Sequence, residues 1–156
     1  MLGSMSVTMP PPVDRSGLPP VRFDTKIAVL LRDDLAEWQR LNVTAFLISG
    51  VTGARPELLG EPYRDADDTP YLPMFGQPVL VLAGDQGVLV AAHRRAVGRG
   101  MPIAVFTEDL FATGNDRDNR AAVAAVRRDE LNLVGLGIHG PKNAVDKVVK
   151  GARLHG

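Results

Sequence analysis

The chain is 156 residues long, with eighteen basic and eighteen acidic side chains that cancel to a net charge of zero. That length favours one domain of ordinary size, and the balanced charge argues against the broad basic surface with which proteins grip duplex nucleic acid. The absence of cysteine removes disulfides, thiolate catalysis and thiolate metal sites.

Residues 1 to 22 hold five of the twelve prolines and little that can pack, so they read as a flexible N-terminal arm ahead of a single α/β domain over 23 to 156. Gly, Ser and Pro interrupt the N-terminus before any run long enough for a signal peptide or a membrane span, and the default expectation is a cytoplasmic protein with no membrane association. The first strand is expected over 27 to 32, apolar on both faces as in a strand covered by helices on each side. Asp34 followed by Glu37 has the spacing of a capping box and opens a helix over about 35 to 51. Trp38, Leu41, Val43, Phe46, Leu47 and Ile48 make that helix apolar around most of its circumference, which calls for burial on more than one side, either in the domain or against a second copy in a homodimer.

Residues 53 to 77 read as loop, with a small hairpin turn at Asp65, Asp67 and Asp68. Those aspartates have half the pattern of a calcium loop, but no glutamate stands at the closing position. A strand at 78 to 83, an N-cap at Asp85 and a helix over 86 to 98 come next, stopped by Gly98 and Gly100. A strand at 102 to 107 leads into the polar segment Thr107 to Asp118, and a helix near 118 to 128 carries Ala122, Val123 and Val126 inward. The last strand, 133 to 139, runs into a helix starting at Gly140 and Pro141. Four core strands alternating with helices predict an α/β fold, a three-layer α/β/α sandwich around a mixed four-stranded core sheet.

Gly135, Gly137 and Gly140 match the dinucleotide fingerprint GxGxxG, yet the chain ends before the further strand and acidic residue such a site needs. Gly135 and Gly137 share one face of their strand, so close helix packing accounts for them, and no cofactor is expected. The only serines are Ser4, Ser6, Ser16 and Ser49, none on a nucleophile turn, and His93, His139 and His155 have no metal-ligand spacing, so no metal site is expected either.

The polar segment after the third core strand is the place to look for a site, since α/β proteins keep theirs at strand ends. Glu108 and Asp109 are adjacent carboxylates, and Thr113 follows Asp109 by one helical turn, which lets its hydroxyl bond the Asp109 carboxylate and the pair orient a water. The same residues can equally be caps, Asp109 for the short turn and Thr113 for the segment after it.

Taken in order, KIAVLLRDDL, GQPVLVLAG, MPIAVFTEDLFAT and LVGLGIHGPKNAVDKVVKGARLH resemble the pattern of type 2 peptidyl-tRNA hydrolases. More closely, LAEWQRLNVTAFLISG, YLPMFGQPVLV and FTEDLFATGNDRDNRAAVAAVR resemble the Domain of Unknown Function family 2000, over about residues 25 to 155. The resemblance implies a hydrolase-like fold and a homodimer. It matches Arg32 and Asp34 to the R-x-D of the hydrolase's first strand, Asp109 and Thr113 to the ends of its D-A-G-x-T motif, and Asp146, Lys147 and Val148 to its last helix.

The hydrolase's first helix presents a lysine and, four residues on, a glutamine toward the cleaved ester; here Asn42 and Phe46 hold the corresponding positions. Ester cleavage depends on donors to the developing oxyanion, and losing one can cost roughly a hundredfold in rate. The resemblance therefore implies either a small-molecule-binding or regulatory module, its pocket walled by Trp38, Asn42, Phe46, Glu108 and Asp109 and lidded by residues 61 to 75, or a hydrolase of an ester or amide of an aminoacyl- or peptidyl-tRNA-like substrate. In the second case Asp109 and Thr113 are its catalytic pair. Peptidyl-tRNA itself is the less favoured partner, given the missing lysine and the absent basic excess.

Overall fold

In a computed structural model of the chain, residues 17–155 are described. Of the arm expected over 1 to 22, residues 1 to 16 lie outside the described residues, and 17 to 22 are exposed.

The described residues form a mixed α/β structure with four α-helices. Its central strand β1 (Thr25–Arg32) buries five consecutive residues, Ile27 to Leu31, because helices cover both of its faces. Next to β1 run β4 (Val79–Gly84), parallel to it, and β6 (Leu133–Pro141), antiparallel. Beyond β6 lies β5 (Ile103–Thr107) and beyond β4 the short β7 (Arg153–Leu154), giving the order β5-β6-β1-β4-β7. The four anticipated strands form, and β7 makes a fifth. Two residues carry no alternation long enough to announce a strand; β7 is set by its pairing of Leu154 and Arg153 with Leu82 and Ala83.

Side chains alternate across the sheet. Val29 and Leu31 pack with Val43 and Leu47 of α1 (Glu37–Ala54), whereas Ala28 and Leu30 pack with Leu89 and Ala92 of α2 (Gln86–Gly98) and with Val145 and Val148 of α4 (Lys142–Val148). Parallel neighbours β1 and β4 thus send their following helices to opposite faces.

The glycines of β6 let α1 approach. A Cβ on Gly135 would lie 2.7 Å from Val43 Cγ1 and 2.9 Å from Leu47 Cδ1, and one on Gly137 would lie 3.1 Å from Leu47 Cβ. The fingerprint-like run is a packing device.

Helix ends differ from the expected ones for local reasons. Asp85 caps α2, as anticipated, accepting from the Val88 N–H at 2.9 Å. Asp34 does not cap α1; its carboxylate is taken by Arg32 at 2.5 Å, and the cap position falls to Ala36, whose N–H donates to Gln39 Oε1 at 2.9 Å. The helix then runs on to Ala54. Helix α3 (Asp116–Ala124) starts earlier than expected because Asn115, accepting from the Asp118 N–H, is its cap, and it ends at Ala124. Ala122, Val123 and Val126 are half-buried rather than core.

The aspartate-rich turn joins β2 (Tyr63–Arg64) to β3 (Pro70–Tyr71). Asp65 accepts from the N–H groups of Asp67 and Thr69 and from Tyr71 Oη, so its oxygens are occupied within the hairpin. The Thr69 backbone bond, then the Tyr71 hydroxyl, hold the Asp65 carboxyl below its ordinary range, and the same bond to Asp65 raises the Tyr71 phenol.

Candidate functional site

Strand β5 is at the edge of the sheet, and the chain leaves it through a short 3-10 turn, Glu108–Ala112, that folds back over α1. This turn brings Phe111 into a run of four rings. Trp38 meets Phe111 edge-on with centroids 5.8 Å apart, Phe111 meets Phe106 at 5.1 Å, and Phe106 meets Phe46 at 5.8 Å. Edge-on and tilted contacts are the geometries the ring quadrupole favours.

The rings wall a cavity of about 380 Å3 between α1, the turn and the start of α3. Its polar lining consists of Asn42, Thr113, Asn115 and Asn119, with Asp116 also on the wall. The Asp116 carboxylate is paired with Arg120 at 2.8 Å, so the cavity is lined by neutral amides and a hydroxyl beside aromatic faces. A second cavity, about 450 Å3, shares Phe46, Phe106 and Asn119 with the first and continues toward Val123. Both volumes fall within the range of about 300–1,000 Å3 usual for small-molecule sites. Trp38 is nevertheless 61% exposed and Phe46 53%, so the aromatic wall stands open to solvent.

Of the residues singled out in the sequence, Trp38, Asn42, Phe46 and Thr113 line this cavity together. Glu108 and Asp109 do not, and no residue from 61 to 75 lines it, so the anticipated lid is not part of its wall. Thr113 Oγ1 lies 2.9 Å from the Leu110 carbonyl oxygen and also meets the side-chain amide of Asn119; it is not bonded to Asp109. A hydroxyl carries one proton, so with Leu110 accepting it the Asn119 amide can complete the arrangement by presenting its NH2. Asp109 itself is exposed. The reason is local: the turn after β5 is a tight 3-10 one, with i to i+3 neighbours, so Thr113 closes onto Leu110 rather than standing above Asp109. Phe111, Asn115 and Asn119 were not anticipated as lining; Asn115 and Asn119 are one helical turn apart across the α3 cap, a spacing that could have flagged them.

Glu108 belongs to a different group. It accepts from Arg32 Nη2 at 3.3 Å and from Asn132 Nδ2 at 2.8 Å, while Arg32 also bonds Asp34 at 2.5 Å and Asn132 Oδ1 at 3.1 Å. The Arg32 side chain is 12% exposed. Burial works against its charge, but the Asp34 and Glu108 carboxylates more than offset that and its pKa is raised. These bonds tie the end of β1 to the ends of β5 and β6 and engage Glu108 through Oε2.

Among the described residues no group of three or more His, Asp or Glu side chains is placed to hold a metal ion, and no helix is long and apolar enough to cross a membrane.

A family described as "Protein of unknown function (DUF2000)" matches residues 25–156. Among solved structures, a protein of unknown function from Agrobacterium tumefaciens strain C58 is similar to this chain at 46% sequence identity, with a TM-score of 0.85, covering 86% of this chain and 100% of its own. Among curated proteins no significant match exists.

Proposed function

We propose a binding function on the premise that the chain belongs to the DUF2000 family, the family whose match spans residues 25–156. In this reading the protein is a small-molecule-binding module whose ligand is a flat, neutral, largely aromatic compound carrying an amide-like polar group. The observation that carries it is the run of four rings opening onto a cavity whose polar wall is mostly amide. Ring faces bury a flat ligand, and amides, which donate and accept at once, suit a neutral group with both capacities. A charged ligand would meet no unpaired opposite charge on the wall, whose one carboxylate already has Arg120.

The finer architecture belongs to the same proposal: helices on both faces of the sheet make a three-layer α/β/α sandwich in a single domain, of the type 2 peptidyl-tRNA hydrolase kind. Hydrolysis is the weaker reading for this chain. Asp109 lies off the cavity and the Thr113 hydroxyl is engaged by Leu110 and Asn119, so neither is held as a base or a nucleophile beside the rings.

Trp38 is the sole tryptophan of the chain and stands on the wall, so its fluorescence reports occupancy directly. Benzamide, an aromatic ring bearing a neutral amide, is the minimal probe. Saturable quenching of Trp38 by benzamide, weakened roughly tenfold or more by Phe46→Ala and by Asn42→Leu, is expected. Quenching that is linear in benzamide, or indifferent to both substitutions, would defeat the proposal.

A further inference from the structure

A third opening lies away from the aromatic wall, between the C-terminal half of α2 and the 3-10 turn Arg128–Glu130 that leads into β6. Its volume is about 230 Å3, below the usual range for drug-sized ligands, and Val90, Leu131 and Leu133 give it an apolar floor. Arg94 comes to it from α2 and Arg128 from the turn, with His93 and Asp129 beside them.

What distinguishes the cleft is that two arginines line it together. Arg95, the next residue of the helix, donates to the carbonyl oxygens of Val148 and Lys150 and so ties α2 to the end of α4. Arg94 and Arg128 have no ion-pair partner among the described residues. Two guanidiniums and one carboxylate, Asp129, leave a single positive charge over an apolar floor, with an imidazole able to add one N–H. Burial foremost, and the Arg128 charge after it, hold His93 below its ordinary pKa against the opposing pull of Asp129, so the ring is neutral at neutral pH.

We propose that this cleft binds a small organic monocarboxylate, its carboxylate bridging Arg94 and Arg128 and its aliphatic tail lying on Val90, Leu131 and Leu133. The charge count selects the class. A monoanion neutralises the single surplus charge, and guanidiniums match a carboxylate's two oxygens with charge-assisted hydrogen bonds. The volume limits the tail to a short one.

Hexanoate is the probe. Titrated into the isotope-labelled full chain at low salt, it is expected to give saturable shifts of the Val97, Leu131 and Leu133 amides and to leave the Trp38 indole signal in place. Arg94→Gln and Arg128→Gln each weaken the binding roughly tenfold or more, and Arg128→Lys recovers part of the loss. Both arginines are exposed, so the variants keep the fold, which the unshifted remainder of the spectrum verifies. Uncharged 1-hexanol separates a carboxylate site from a merely greasy cleft and should give no saturable shift. The proposal is overturned if hexanoate shifts nothing at the cleft, if either glutamine variant binds as well as the parent, or if 1-hexanol matches hexanoate.

Discussion

Gly135 shows at the scale of one residue how the sheet and its first helix fit. A methyl group there would stand 2.7 Å from Val43 Cγ1 and 2.9 Å from Leu47 Cδ1, both on buried helical positions with no room to retreat. Gly135→Ala should therefore destabilise the protein by about 1–3 kcal/mol, the usual cost of overpacking, read as a lower urea midpoint at unchanged slope. The reason for this glycine was legible in the sequence, because two glycines at i and i+2 share a strand face. The Arg32 group was not. Its partners Glu108 and Asn132 stand 76 and 100 residues away, and only the assembled strand ends bring them to one guanidinium. Thr113 lies between these extremes: its place beside the first helix was readable, but its partner depended on a 3-10 turn that polar composition alone does not distinguish from an α-helical one.

Among the elements, α1 carries the largest unsettled surface. Val43, Leu47 and Val51 face the sheet, while Trp38, Leu41 and Phe46 are more than half exposed. The apolar circumference was plain in the sequence; that one side of it would meet the sheet and the other remain uncovered was not, since periodicity does not count neighbours. Homodimerisation through this face is the expected arrangement, and light scattering at high micromolar concentration should give twice the monomer mass, falling toward the monomer in Leu41→Glu. A parent protein that scatters as a monomer under those conditions contradicts the expectation. Short elements were the least readable. Strand β7 and the cap at Ala36 rest on bonds that no local pattern announces, whereas Asp85 bonds its own helix and was recognisable from the residues beside it.

For the whole molecule, two half-buried histidines contribute to the loss of stability on the acid side. His93 is held below its ordinary pKa of 6.5 by burial and then Arg128, with Asp129 opposing; His139 is held down by burial and then Arg55, with Glu57 opposing. The unfolded chain takes up these protons near 6.5 and the folded protein only at lower pH. Stability is therefore full above that value and is lost as pH falls through it toward the folded pKa values. The melting temperature should drop between about pH 7.5 and pH 5.5, and by less in a His93→Gln, His139→Gln double variant; an equal drop in both proteins removes the histidines as its cause. The net charge of zero and the Asn42 and Phe46 pair also bear on the molecule as a whole. Purified protein is expected to clear peptidyl-tRNA weakly or not at all, and turnover comparable to that of a true type 2 hydrolase, abolished by Asp109→Ala, would reverse that expectation.

With β1 at the middle of the sheet, the chain must wait for its own end before it can finish folding. The earliest strand pairs with β4 on one side and, from Thr25 opposite Pro141 to Leu31 opposite Gly135, with the last long strand on the other. Such pairings across most of the chain length raise the contact order and slow folding. During synthesis, a nascent chain released only as far as α3 would carry Ile27 to Leu31 with one whole flank of backbone donors and acceptors unsatisfied, a sticky intermediate suited to chaperone capture. A chain stopped after residue 131 should accordingly lack a cooperative unfolding transition, and a sharp, two-state melt of that fragment would show that the earlier strands suffice on their own.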